Sequence, residues 1–125
     1  MDLNIMNKQV GDVSVVTLKG RIVLGEGSSS LRERIKSLVV DGKKKIVLNM
    51  ANVTYIDSAG LGILVGAHVS AKNQGAALYL SDLGNKFHEV LQVTRLLTVF
   101  NVYATEIQAI SGFRVDALAV AAKTN

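Results

Sequence analysis

Asp57 and Ser58 place a carboxylate beside a hydroxyl between two apolar runs, Lys45-Ile46-Val47-Leu48-Asn49-Met50 and the stretch from Leu61 to Ala71. Such a pair can cap a helix, because a side-chain oxygen there accepts one of the unpaired N–H donors of the first turn. It can also present a hydroxyl for modification or for nucleophilic attack. Gly60 and Gly62 fall in the expected first turn, where each costs about 1 kcal/mol of helix propensity relative to Ala. A bare first turn lets another molecule's backbone, or a phosphate, approach the helix N-terminus.

The other chemistries are poorly supplied. A hydrolase nucleophile elbow needs glycine two residues before the serine, and Ile56 holds that place. His68 and His88 are the only candidate general bases. His68 lies nearly three helical turns, about 15 Å, beyond Ser58 on the same helix and cannot reach its hydroxyl. Gly25-Glu26-Gly27-Ser28 lacks the second glycine spacing and the lysine of a phosphate-cradling loop. Two separated histidines and no cysteine form neither a metal signature nor a disulfide. The expectation is therefore no catalytic residue, no metal and no cofactor.

These residues need a scaffold, and the chain alternates strands with helices. Leu3 to Asn7 and Val13 to Lys19 read as a hairpin around Gly11-Asp12, closed by Gly20. Leu31, Ile35, Leu38 and Val39 trace one helix face, with Ser30 and Glu33 as a capping box and Gly42 as its exit. Lys45 to Met50 is short, apolar and β-branched, as a strand buried on both faces should be. The helix after Ser58 should stop near Asn73-Gln74-Gly75. Ala76 to Leu80 is the next strand, and Asn85 to Val93 a helix with Phe87, Val90 and Leu91 inward. Val99 to Tyr103 is the last strand, feeding a helix from about Thr105. This order predicts an α/β fold, a mixed and mostly parallel sheet with packed α-helices. One domain over 1–112 accounts for it. Residues 113–125 form a C-terminal extension in which Val115, Leu118, Ala119 and Ala122 share a helical face.

Composition sets the class. The 125 residues suffice for one core, and 49% are hydrophobic but only 5% aromatic, so that core is aliphatic. No apolar run reaches the roughly 18 residues of a membrane span, and no basic region leads into a long apolar one. A soluble, cytoplasmic protein is expected. The net charge of +4 draws attention to Lys43-Lys44-Lys45. That triplet follows Asp41-Gly42, where cations complement a helix C-terminus, and no aromatic platform for bases adjoins it, so direct nucleic-acid binding is not expected.

Tyr55-Ile56-Asp57-Ser58-Ala59-Gly60-Leu61-Gly62, between a strand and a helix, resembles the signature of STAS domains, the anti-sigma factor antagonists and their relatives. The order of elements from Leu3 to about Ile110 is similar as well. The resemblance implies a regulator rather than an enzyme. Ser58 would be the phosphoacceptor, and Asp57, Ser58, Ala59, Gly60, Leu61 and Gly62 the surface that meets an anti-sigma factor, often itself a serine protein kinase. Phosphorylation would switch the complex off and so regulate sigma-factor-dependent transcription. A non-phosphorylated scaffold, or a subunit of a transport or stress-signalling complex, is the alternative that the same family offers, and a homodimer is compatible with either. Arg21 and Val23 stand where many phosphorylated members carry an acidic residue and then an aspartate, which bears on kinase recognition. Ala59 stands where close relatives often have a second serine, leaving one acceptor. Leu61 and Leu24 are candidates for apolar contact around that serine and equally for the core.

Overall fold

The computed structural model describes residues 3–123, with side chains through Asp116. Strands β1 (Leu3–Val10) and β2 (Val13–Ile22) form the expected antiparallel hairpin, turning at Gly11, whose φ of 60° suits a residue without a Cβ. Helix α1 (Glu26–Val40), strand β3 (Lys45–Ile56), helix α2 (Ser58–Asn73) and strand β4 (Ala77–Ser81) follow. Helix α3 (Asn85–Val93), a 3-10 turn (Leu96–Thr98), strand β5 (Asn101–Tyr103) and helix α4 (Glu106–Lys123) complete the order. The sheet runs β1-β2-β3-β4-β5, with every pair after the hairpin parallel.

Several expectations change. Gly20 does not close β2; with φ 114° it passes the strand on to Ile22. β3 likewise runs beyond Met50 to Ile56, using two more residues than β2 between the pairs Ser14↔Ile46 and Ile22↔Ile56. Register shifts at Thr17/Lys19 and Gly20/Arg21 absorb them, and such bulges raise local twist at a sheet's end. The Ser30–Glu33 capping box is not formed, because α1 starts a turn earlier, at Gly25. There the Ser28 hydroxyl donates back to the Gly25 carbonyl at 2.9 Å, and a Cβ on Gly27 would come within 2.9 Å of Leu3 Cβ. The exit at Gly42 is a Schellman arrangement, with Gly42 N–H on Val39 O at 3.1 Å and Lys43 N–H on Leu38 O at 2.9 Å.

The sheet buries both faces. Against one, Leu18, Ile22, Ile46, Leu48 and Leu80 pack under Leu31 and Ile35 of α1, Leu64 of α2 and Leu91 of α3. α3 has the expected limits, but Val90 stays on the surface while Phe87 and Leu91 turn inward. Against the other face, among the described residues, α4 covers Val13, Val15, Val47 and Tyr79 with Ala109 and Phe113. The rings of Tyr79 and Phe113 stack with centroids 3.8 Å apart, and the Tyr79 hydroxyl donates to Asp116. Glu106 pins the start of α4 by accepting from Asn49 Nδ2 at 2.9 Å and pairing with Lys8 at 2.9 Å. α4 continues unbroken across Gly112, and Val115 points to solvent. The side chains of Leu118, Ala119 and Ala122 lie outside the described residues.

Of the lysine triplet, Lys43 and Lys44 follow the turn after α1, and Lys44 Nζ donates to the Gln74 carbonyl at 3.2 Å. Lys45 opens β3 and pairs with Asp12 at 2.5 Å. Phe113 is buried although it lies past Gly112. Phe113→Ala is therefore expected to cost about 3–5 kcal/mol, as for other buried aromatic truncations, in urea unfolding of the full chain. A cost near zero would show that α4 is not part of the core there.

Candidate functional site

The C-terminal ends of β2 and β3 lie side by side, with Ile22 opposite Ile56, and the chain turns from β3 into α2 through a single residue, Asp57. Four hydrogen bonds hold that residue. Its amide donates to Ile22 O at 3.2 Å, and its carbonyl accepts from Leu61 N–H at 2.9 Å. Oδ1 accepts the Gly60 N–H at 2.7 Å, as an N-cap should, and Oδ2 accepts the Leu24 N–H at 3.2 Å. The carboxylate thus ties the first turn of α2 to the loop between β2 and α1. The Gly60 N–H above all, with those of Leu24 and Ala59 and the charge of Arg21, holds the Asp57 carboxyl below its ordinary range against a desolvation that works the other way. Both oxygens accept backbone N–H bonds, so Asp57 acts as a cap.

Ser58 is the first residue of α2 and is exposed. Ala59 and Leu61 are half-buried, Leu61 packing on the edge of the main core, and Gly62 is open, with no atom within 4 Å of where a Cβ would stand. Gly60 differs from the open first turn expected of it. It is buried, and a Cβ there would lie 2.0 Å from the Ile22 carbonyl oxygen. Its role is to let α2 seat against the end of β2, while Gly62 is the glycine that leaves room outside. Leu24 is 80% exposed, so its side chain is on the surface and its amide makes the contact with Asp57. Arg21 lies over the Tyr55 ring, 5.5 Å from the centroid.

The histidines sit elsewhere. His88 is exposed on α3. His68 packs on Phe100 with ring centroids 5.2 Å apart, and its Nδ1 is buried without a partner. Burial, and then the charge of Lys72, push its pKa below the ordinary imidazole value. Among the described residues no group of three His, Cys, Asp or Glu is placed to hold a metal ion, and no helix is long and apolar enough to cross a membrane.

An exposed serine at the start of the helix after the central strand, in a sheet of this order, is joined by a family match: a model of the STAS domain covers residues 4–109. The chain belongs to the STAS domain family. This STAS domain is 29% identical over 104 residues to the anti-sigma-B factor antagonist of Bacillus subtilis (strain 168), covering 83% of this chain and 94% of that one. It is 27% identical over 70 residues to the anti-sigma F factor antagonist of Paenibacillus polymyxa, covering 56% of this chain and 60% of that one. The structure of the Bacillus cell fate determinant SpoIIAA in its phosphorylated form shares the fold, with a TM-score of 0.69 and 20% identity over 88% of this chain and 99% of that one.

Spacing made the Asp57 cap legible, since acceptor and Gly60 are three residues apart. The bond to Leu24 spans 33 residues and the Arg21–Tyr55 contact joins separate strands, so no local signal marked either. Gly60→Ala should destabilise the STAS domain by about 1–3 kcal/mol, because the added methyl meets backbone. Gly62→Ala should be neutral or stabilising by up to about 1 kcal/mol. Equal effects of the two substitutions in urea titrations would contradict this division.

The Asp57 carboxyl has a folded pKa below its unfolded one, so its charge adds stability above the unfolded value of 3.8 and loses it as the pH falls through the folded value. Asp57→Asn should lower Tm near neutral pH, with the gap to the parent chain closing as the pH falls below 3.8 in parallel melts.

Proposed function

We propose that this STAS domain is an anti-sigma factor antagonist that binds an anti-sigma factor with serine kinase activity while Ser58 carries a free hydroxyl, and that phosphorylation of Ser58 releases it. The observation that carries this reading is the division of labour at the β3–α2 junction. Asp57 caps α2 with one carboxylate oxygen and holds the Leu24 amide with the other, leaving Ser58 exposed beside it, its hydroxyl in no hydrogen bond among the described residues. A phosphate on Ser58 adds close to two negative charges, which the N-terminal dipole of α2 favours. The fold therefore accommodates the modification. Binding does not, because the new charge beside Asp57 would have to be desolvated against a surface complementary to a neutral hydroxyl.

On this reading the partner meets the exposed Ser58 and Gly62 with the flanking Asp57, Ala59 and Leu61, while Gly60 acts from beneath by seating the helix. The names of the Bacillus subtilis and Paenibacillus polymyxa relatives support the regulatory role. It is a cytoplasmic role, exercised on transcription through the partner and not through DNA.

With its kinase and ATP the chain should gain one phosphate, on Ser58, detected as a single mass increment absent from Ser58→Ala. Ser58→Ala should stay folded and bind the partner. Ser58→Asp should weaken binding by more than about 1.4 kcal/mol, tenfold in Kd. Unchanged affinity of both the Asp variant and the phosphorylated chain would refute the switch and favour the scaffold. The purified chain alone should hydrolyse neither activated esters nor ATP. Ester turnover lost in both Ser58→Ala and His88→Ala would instead make Ser58 a nucleophile.

A further inference from the structure

β3 outruns its neighbour. Its pairing with β4 ends at Asn49↔Ser81, whereas β3 itself continues to Ile56, paired there only with β2. The separation starts at Asp82, whose φ of 58° turns the chain away from β3 at a residue type that tolerates the left-handed region. From Met50 to Ile56 the second edge of β3 thus has no strand beside it among the described residues. Asn49 Oδ1 accepts the Ala51 N–H at 2.9 Å, and among the described residues no other main-chain bond reaches that edge from across the gap. What faces it is α3, and between them lies an open cavity of about 440 Å³. Met50, Val53 and Ile56 line it from the strand, and Phe87, Val90 and Lys86 from the helix.

Among the described residues the groove's lining carries one charged side chain, Lys86, and no carboxylate. Lys86 stands on one lip, and Tyr55, 54% exposed with Arg21 over its ring, forms the other. The N-terminus of α3 adds to the positive potential, because Gly84 supplies no side-chain cap and the first turn carries no acidic residue.

We infer that the groove between the β3 overhang and α3 receives an extended segment of a partner protein, alternating apolar with acidic residues, as an added strand. The overhang presents unpaired N–H and C=O groups, which an extended backbone satisfies and a helix or a small apolar ligand does not. Side chains of period two would place apolar residues against Val53, Phe87 and Val90 and acidic ones towards Lys86 and Arg21. Seven residues, roughly 20 Å of strand at about 3.3 Å each, is sufficient length for such a segment. This binding mode goes beyond the Ser58 switch and does not depend on it.

The test is selection of random dodecapeptides displayed on phage against the full chain, followed by synthesis of the enriched sequences. They should alternate apolar and acidic positions. Lys86→Glu and Arg21→Glu should each weaken the synthetic peptide's binding about fivefold or more, and Val90→Asp about tenfold or more. All three positions are exposed, and circular dichroism establishes that each variant is folded. N-methylation of the peptide backbone should weaken binding about tenfold at alternate positions and leave it intact between them, and amide exchange in Ala51–Tyr55 should slow on binding. No enrichment above background, enrichment of basic sequences, or tolerance of N-methyl groups at every position would overturn the inference.

Discussion

The Asp57 carboxylate is the interaction on which the β3–α2 junction depends. One oxygen holds the first turn of α2, and the other holds the loop that leaves β2, 33 residues away in sequence. A cap alone would start the helix; the second bond also sets where it starts relative to the neighbouring strand. Gly60 completes the arrangement by allowing α2 to approach the Ile22 carbonyl more closely than any side chain would permit. Position, and not reactivity, is what these residues supply to Ser58.

Much of the order is legible in the sequence, because the strands are apolar and β-branched and the helices carry clear stripes. The limits of α3 and the Gly42 exit followed directly from local residue types. What was not legible lies where tertiary contact overrides punctuation. Gly20 is a strong breaker in isolation, yet parallel pairing with β3 carries the strand through it. Gly25-Glu26-Gly27 looks like a loop, yet the close packing of Gly27 on Leu3 draws it into α1. In sequence β3 reads as ending at Met50 for a related reason. Polar Asn52 and Thr54 sit in a bulged stretch whose side-chain alternation departs from that of a flat strand.

The candidate site divided in the same way. The serine and its capping neighbour could be found from three-residue spacing, whereas the partners that orient them come from β2 and its loop. Gly60 and Gly62 are indistinguishable in sequence. Packing separates them, one turned to the core and the other to solvent. Val90, inward by periodicity, is instead part of a groove wall, exposed beside buried Phe87 and Leu91.

The linear strand order has a consequence for how the domain comes into being. Each strand pairs only with those adjacent to it in sequence, so no part of the sheet must wait for a distant segment to be inserted between finished strands. Every hydrogen-bond partner of Asp57 in this clip lies between Ile22 and Leu61. A nascent chain emerging from its N-terminus can therefore assemble the hairpin, dock β3 on it and close the junction before β4 has been made. The later elements add to an existing edge, and the order of synthesis is also an order of construction.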